Sequence, residues 1–181
     1  MANGIWLVTG AQGAGKSTIA DLLAGSFERG VHVRGGQFYR WVVKGWVHFD
    51  GSDQQEARRL LELRYRLSAH VAEEYAVAGF DCVVQDNICG EDVTTWLASI
   101  RHRPLHLIVL RPSVDIVAAR DEARRRATGK TAYRGSFTPA LNDAEVVKTL
   151  RHVGLWLDTS DQTPGETIAE VLARDDESLI P

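Results

Sequence analysis

Gly10-Ala11-Gln12-Gly13-Ala14-Gly15-Lys16-Ser17-Thr18 spells out a complete Walker A phosphate-binding loop. Its chemistry follows from residue types and spacing. The glycines leave backbone N–H groups free to converge on phosphate oxygens. The helix start that follows adds a positive partial charge. Lys16 reaches the β- and γ-phosphates of a nucleotide and Ser17 ligates Mg²⁺. A bare glycine turn is the alternative, but Lys-Ser at this spacing serves no turn. A second element, Asp81-Cys82-Val83-Val84-Gln85-Asp86, is an apolar run ending in a carboxylate. That pattern sets an acid beside Mg²⁺, so Asp86 is the candidate metal partner, with Asn87 sharing the site. A third stretch, Arg120 to Arg134, carries Arg124, Arg125, Arg126, Lys130 and Arg134 after Glu122, with no acid among those five. Gly129 and Gly135 let it bend. It reads as a basic lid over about 120–135, in which Arg120 and Arg124 share a helix face. There they would offset the charge growing on a transferring phosphate. A solvated helix end is the competing reading.

These groups need elements to hold them. Five strand-like runs recur, at Ile5–Thr9, Val31–Arg34, Cys82–Gln85, Leu105–Leu110 and Leu155–Leu157, with helical patterns between them. Alternation of this kind predicts a parallel sheet covered by helices on both faces, an α/β/α sandwich. The loop sits between the first strand and a helix running from Ser17 to Ala24, which is the context that gives the pattern its mechanism. The clearest helix follows Ser52-Asp53-Gln54-Gln55, a capping-box sequence. Leu60, Leu63, Leu67, Val71, Tyr75 and Ala78 mark its expected buried face, Arg58, Arg59, Glu62, Arg66, Glu73 and Glu74 its outer one, solvated or with some arginines turned to a cleft, and Gly79 its end. Thr163-Pro164-Gly165-Glu166 opens the last helix.

Composition narrows the function classes. At 181 residues the chain is expected to form one domain over 1–174, with a loose acidic tail at 175–181. The net charge of −3 gives no global basic surface for nucleic acid. Cys82 and Cys89 match no metal or redox motif and read as reduced thiols. The scattered histidines make no metal site. No secretory leader is expected and no apolar run is long enough to span a membrane, so the expected location is cytoplasmic. No Asn-Lys-x-Asp base-reading element of GTPases is present.

With these residues in hand the chain resembles the small P-loop kinases of the nucleoside-monophosphate-kinase superfamily. Within them it is most similar to chloramphenicol phosphotransferase-like proteins. The likeness rests on Gly10–Thr18, on Val31-His32-Val33-Arg34-Gly35 leading to Phe38 and Arg40, and on Val83-Val84-Gln85-Asp86. It rests also on Arg120 with Gly129-Lys130-Thr131, and on Gly154-Leu155-Trp156-Leu157-Asp158-Thr159-Ser160. It implies a P-loop NTPase fold with sheet order 2-3-1-4-5, ATP as donor, and a small-molecule hydroxyl, such as that of an antibiotic or other natural product, as acceptor. It also implies that Ser160, Gln162 and Thr163 lie near adenine. The acceptor region is aromatic and basic: Gln37, Phe38, Tyr39, Arg40, Trp41, Lys44, Trp46 and His48. Trp41 and Trp46 either stack on a ligand or pack a short helix.

One position departs from the family pattern. An Asp usually follows the glycine that ends the second strand and serves as base for the acceptor hydroxyl; here it is Gly36. A general base contributes about 10²–10⁴-fold, whereas phosphoryl transfer depends more on positioning and charge neutralisation. Asp86 or Asp50 would substitute, or the acceptor is already ionised, or transfer has been lost. Three functions remain open: a small-molecule kinase, a nucleotide or nucleoside kinase with Arg34 and Arg40 on the acceptor phosphate, and a nucleotide-binding regulator with slow hydrolysis.

Overall fold

The computed structural model describes residues 3–47, 53–133, 136–149 and 153–181. Five strands, β1 (Ile5–Gly10), β2 (Gly30–Arg34), β3 (Asp81–Gln85), β4 (Leu105–Leu110) and β5 (Leu155–Leu157), form one sheet. Its order is β2-β3-β1-β4-β5. Every pair is parallel, with Leu7 opposite both Val84 and Leu107. The helices are α1 (Lys16–Ser26), α2 (Gly36–Arg40), α3 (Gln54–Val77), α4 (Glu91–Ser99), α5 (Val114–Thr128), α6 (Pro139–Val146) and α7 (Pro164–Ala173). This is the doubly covered α/β fold of a P-loop NTPase. Central strands buried on both faces read as near-continuous apolar runs, here interrupted by Thr9 in β1 and His106 in β4. All six residues of β1 and of β4 are buried accordingly.

Alternation along the strands builds two cores. Trp6, Val8, Val83, Ile108 and Leu110 pack with Ile19, Ala20 and Leu23 of α1 and Val171 of α7. Ile5, Leu7, Cys82, Val84, Leu107 and Val109 pack with α3 and α4 through Ala69, Ala72, Ala76, Val93, Trp96 and Leu97. β3 therefore sends Gln85, in step with Val83, towards α1, and Asp86, in step with Val84, towards α3.

The face of α3 differs from the expected one. Its buried residues are Ala57, Tyr65, Ser68, Ala69, Ala72 and Ala76. Leu63, Leu67 and Tyr75 stay 40%, 37% and 40% exposed. Small side chains let the helix lie close to the sheet, and Ser68 Oγ accepts the buried Trp96 Nε1–H at 3.0 Å. The leucine stripe has the greater apolar area, but it lacks this close fit. The cap is Asp53, whose carboxylate accepts the Glu56 N–H at 2.9 Å; Ser52 lies outside the described residues. The expected capping box of α7 is present, with Thr163 and Glu166 each accepting the other's backbone N–H.

The tail is packed rather than loose. Asp175–Ser178 forms a 3₁₀ turn. The Ile180 N–H donates to Leu105 O at 2.8 Å, and Ser178 is fully buried. Ser178 Oγ lies 2.7 Å from His106 Nδ1. On its other side His106 stacks on Trp6, ring centroids 3.5 Å apart. Burial pushes the His106 imidazole down to about 4. Its pKa is thus lower folded than unfolded, so the unfolded chain takes up a proton first as pH falls. His106 should leave stability flat above pH 6.5 and erode it between 6.5 and 4, by at most about 1.4 kcal/mol per pH unit. Urea midpoints at pH 7 and pH 5 should converge more in His106→Phe than in the native chain; an identical pH slope in both would refute the assignment.

Candidate active site

The phosphate loop leaves β1 at Gly10 and enters α1 at Lys16. Gly15, the residue before the helix, has φ 97°, a conformation that a side chain would strain. The tip is clamped from outside. Gln12 N–H donates to Asn142 Oδ1 of α6 at 2.7 Å, and Tyr133 Oη donates to Gln12 O at 2.5 Å. Lys16 is 6% exposed. Its ammonium donates to Gly10 O and Ala11 O at 2.9 and 2.7 Å. Burial pushes it down to about 7; Cys89 opposes that shift, and the charges of Arg64 and Arg124 add to it.

The loop borders a cleft of about 1020 Å³ at the carboxyl ends of the strands, where ligands of open α/β sheets bind. Cations dominate its lining. Lys16, Arg120 and Arg124 stand on the loop side, and Arg34, Arg40, Arg58 and Arg64 on the side of β2, α2 and α3. The lining carboxylates are Asp92 and Glu145, and both are paired. Asp92 accepts from both terminal nitrogens of Arg58, and Glu145 accepts Lys148 Nζ at 2.6 Å.

Asp86 does not face this cleft as a metal ligand should. It is fully buried, and it receives Arg64 in a two-point ion pair, with Nε–H to Oδ2 at 2.9 Å. It also takes the Asn87 N–H at 2.6 Å. Gly35 is obligatory here, because a Cβ would fall 1.8 Å from Asp86 Oδ2. The residue that meets Ser17 is Gln85, whose Oε1 accepts the Ser17 hydroxyl at 3.1 Å. A one-residue step along a strand reverses the face, and the sequence pattern carries no mark of which residue turns inward.

The other candidates divide. Gln37, Arg40 and Asn87 line the cleft. Trp41 does not: it is 65% exposed, its ring set edge-on to Phe38. Asp50 lies outside the described residues. The basic run splits as its helix turns. Arg120 and Arg124 reach the cleft, while Arg125 and Arg126 pair outside with Glu122. After Gly129 the chain folds back, held by Asp121, which accepts Thr131 Oγ1 at 2.5 Å and the Ala132 N–H at 3.0 Å. Arg134 and Gly135 lie outside the described residues.

A smaller hollow of about 250 Å³ adjoins the loop, lined by Ala14, Thr18, Arg120, Thr159, Gln162 and Thr167 among others. Gln162, one of the residues the resemblance sets near adenine, lines this hollow. Ser160 and Thr163 are not in the lining. Ser160 Oγ accepts the Ser113 N–H at 2.8 Å and Thr163 caps α7. Thr159 takes part instead: it is 3% exposed, and its Oγ1 has no hydrogen-bond partner among the described residues. A buried hydroxyl without a partner in the protein suits a ligand atom in the hollow. Arg64 and Tyr65 escaped the sequence reading, whereas Arg58 was read on the outer face of the helix and Thr159 only as part of the segment that carries the resemblance. Arg58, Arg64 and Tyr65 occupy the small-residue stripe of α3 or its border, and that stripe was the available signal.

Ser17 Oγ and Gln85 Oε1 are two neutral hard oxygens. They fit a Mg²⁺ that arrives on nucleotide phosphates, since Mg²⁺ keeps waters and takes few protein ligands. Among the described residues no group of three or more His, Cys, Asp or Glu is placed to hold a metal ion, and no helix is long and apolar enough to cross a membrane.

The sheet, the loop and the cleft together define a P-loop NTPase fold. A family model described as an AAA domain, AAA_33, matches residues 5–138, and the chain belongs to that family. Comparison with curated proteins gives no match. Among solved structures the fold is similar to a tunicamycin resistance protein of Deinococcus radiodurans, 17% identical, TM-score 0.66, covering 99% of each chain. A sugar kinase from Janibacter sp. is 18% identical, TM-score 0.64, covering 98% of this chain and 96% of that one. The APS kinase of Mycobacterium tuberculosis, solved with AMPPNP and APS, is 21% identical, TM-score 0.61, covering 95% and 96%.

Proposed function

We propose that this chain is a Mg·ATP-dependent phosphotransferase acting on a small molecule held in the arginine-lined cleft. The observation that carries this reading is the buried Lys16 ammonium at the head of α1, beside a cleft with far more cations than acids. The nucleotide's phosphates lie along Gly10–Thr18, and its base occupies the hollow beside Thr159 and Gln162. Ser17 and Gln85 would hold Mg²⁺, which would supply charge neutralisation to the nucleotide phosphates. Arg120, whose guanidinium donates to Thr159 O at 2.9 Å, borders both spaces and closes over the phosphates together with Arg124. A cytoplasmic setting, where ATP is plentiful, goes with this reading. The chloramphenicol phosphotransferase-like resemblance suggests a hydroxyl acceptor such as an antibiotic; the fold likeness to the tunicamycin resistance protein is compatible with it.

Calorimetry with ATP and Mg²⁺, paired with an ATP-consumption assay over a panel of small acceptors, tests the proposal. Nucleotide binding that Mg²⁺ does not strengthen would contradict it. Arg120→Ala and Arg124→Ala should each lower kcat on the order of 10²-fold while weakening ATP binding far less, because the arginines act on charge that develops in the transition state. Full turnover in either variant would assign that arginine to the surface.

A further inference from the structure

The outer crest of α3 carries a second pattern. Leu60, Leu63, Leu67, His70, Glu74 and Val77 follow one another at steps of three, four, three, four and three. That is the spacing of a seam by which one helix pairs with another. None of the six belongs to the buried alanine stripe of α3. Leu60 is half-buried and the other five are exposed, Val77 to 81%. Single apolar side chains on a surface are ordinary, but a row of them spread along about 27 Å of helix is not. Arg58, Leu61, Arg64 and Tyr65, the α3 residues that line the cleft, are not in the row.

Charge says which partner fits. The bases flanking the row, Arg59 and Arg66, lie in its N-terminal half, and the acids Glu73 and Glu74 in its C-terminal half. Arg66 and Glu74 are exposed, and neither side chain has an ion pair or hydrogen bond among the described residues. A second copy running antiparallel sets the basic half of each helix against the acidic half of the other. A parallel copy sets like against like.

We propose that the crest of α3 is a homodimer interface, in which α3 lies antiparallel to α3 of a second copy about a two-fold axis passing between Leu67 and His70. In this register Leu60 meets the second copy's Val77, and Leu67 meets its His70. Leu63 meets the stem of its Glu74, whose carboxylate extends towards Arg66. The two-fold makes every contact twice, from one self-complementary patch. The leucines supply the apolar burial, and the exposed charges set direction more than strength. A single helix pair is at the small end of specific interfaces, so a dissociation constant on the order of 10 µM is expected. The interface does not depend on what the cleft binds.

Sedimentation of the full chain between about 5 and 500 µM should show a monomer–dimer equilibrium. Leu67→Glu, at an exposed position, should keep the native Tm and weaken dimerisation about 10-fold or more. Arg66→Glu should weaken it as well, and the exchange Arg66→Glu/Glu74→Arg should recover it, which only the antiparallel arrangement allows. Cross-linking reads the direction without a comparison of stabilities. Mixed Leu60→Cys and Val77→Cys chains should form a disulfide dimer on oxidation. Neither variant should do so alone, because like positions then stand about 25 Å apart, far beyond disulfide reach. A native chain that stays monomeric throughout would leave the crest to solvent or to a different protein, and would overturn the proposal. A dimer untouched by Leu67→Glu would overturn it by placing the contact elsewhere. A disulfide formed by Val77→Cys alone would overturn it by making the helices parallel.

Discussion

Lys16→Ala should reduce ATP turnover on the order of 10³-fold or more, the largest loss expected from any single side chain in this protein. The physical ground is the setting of the ammonium. It is buried, borders the phosphate path and is held by two loop carbonyls. A fixed cation in such a place acts with little water to screen it. A factor of 10³ corresponds to about 4 kcal/mol of lost transition-state stabilisation. Lys16→Met keeps most of the packing and should behave like Lys16→Ala, which separates lost charge from a collapsed loop. The check is calorimetric affinity for Mg·ATP alongside turnover. Unchanged affinity with undiminished turnover would remove Lys16 from the site.

Asp86→Asn should act chiefly on stability. It strands the Arg64 guanidinium, whose side chain is only 14% exposed, against a neutral partner. Breaking a buried pair from one side costs about 3–5 kcal/mol, which for a chain of this size is a fall in Tm of roughly 10 °C. The Mg²⁺ concentration for half-maximal turnover should stay within about 2-fold of native, because Ser17 faces Gln85 rather than Asp86. The double variant Arg64→Met/Asp86→Leu removes both charges and should recover much of the lost Tm. Native Tm in Asp86→Asn, with a steep rise in the Mg²⁺ requirement, would restore the carboxylate to the metal and sink this account.

Much of the fold was legible because strand residues buried on both faces must be apolar and glycine turns must follow them. The runs at 105–110 and 155–157 match the strands residue for residue. The phosphate loop was legible because its spacing allows no other economical use. Two things were hidden. Whether Gln85 or Asp86 turns towards α1 depends on the register of β3 against β1, where Val8 sits opposite Gln85, and this pairing is non-local. The inward face of α3 was misread because apolar area favours the leucines, while closeness to the sheet favours Ala69, Ala72 and Ala76. Arg64 and Tyr65 travel with that stripe, so the α3 wall of the cleft was misread with it.

The docked tail bears on how the molecule stays apart from its own copies. β5 spans only three residues and meets β4 from Ile108 onward, so the lower part of β4 would present bare peptide groups along an open rim. Ile180 satisfies one of these, the Leu105 carbonyl, and Leu179 bridges His106 in antiparallel fashion. An exposed row of unpaired strand groups is a template for adding foreign strands. The tail therefore serves as a blunt hem on the sheet, sealing a margin along which chains would otherwise zip together into aggregates.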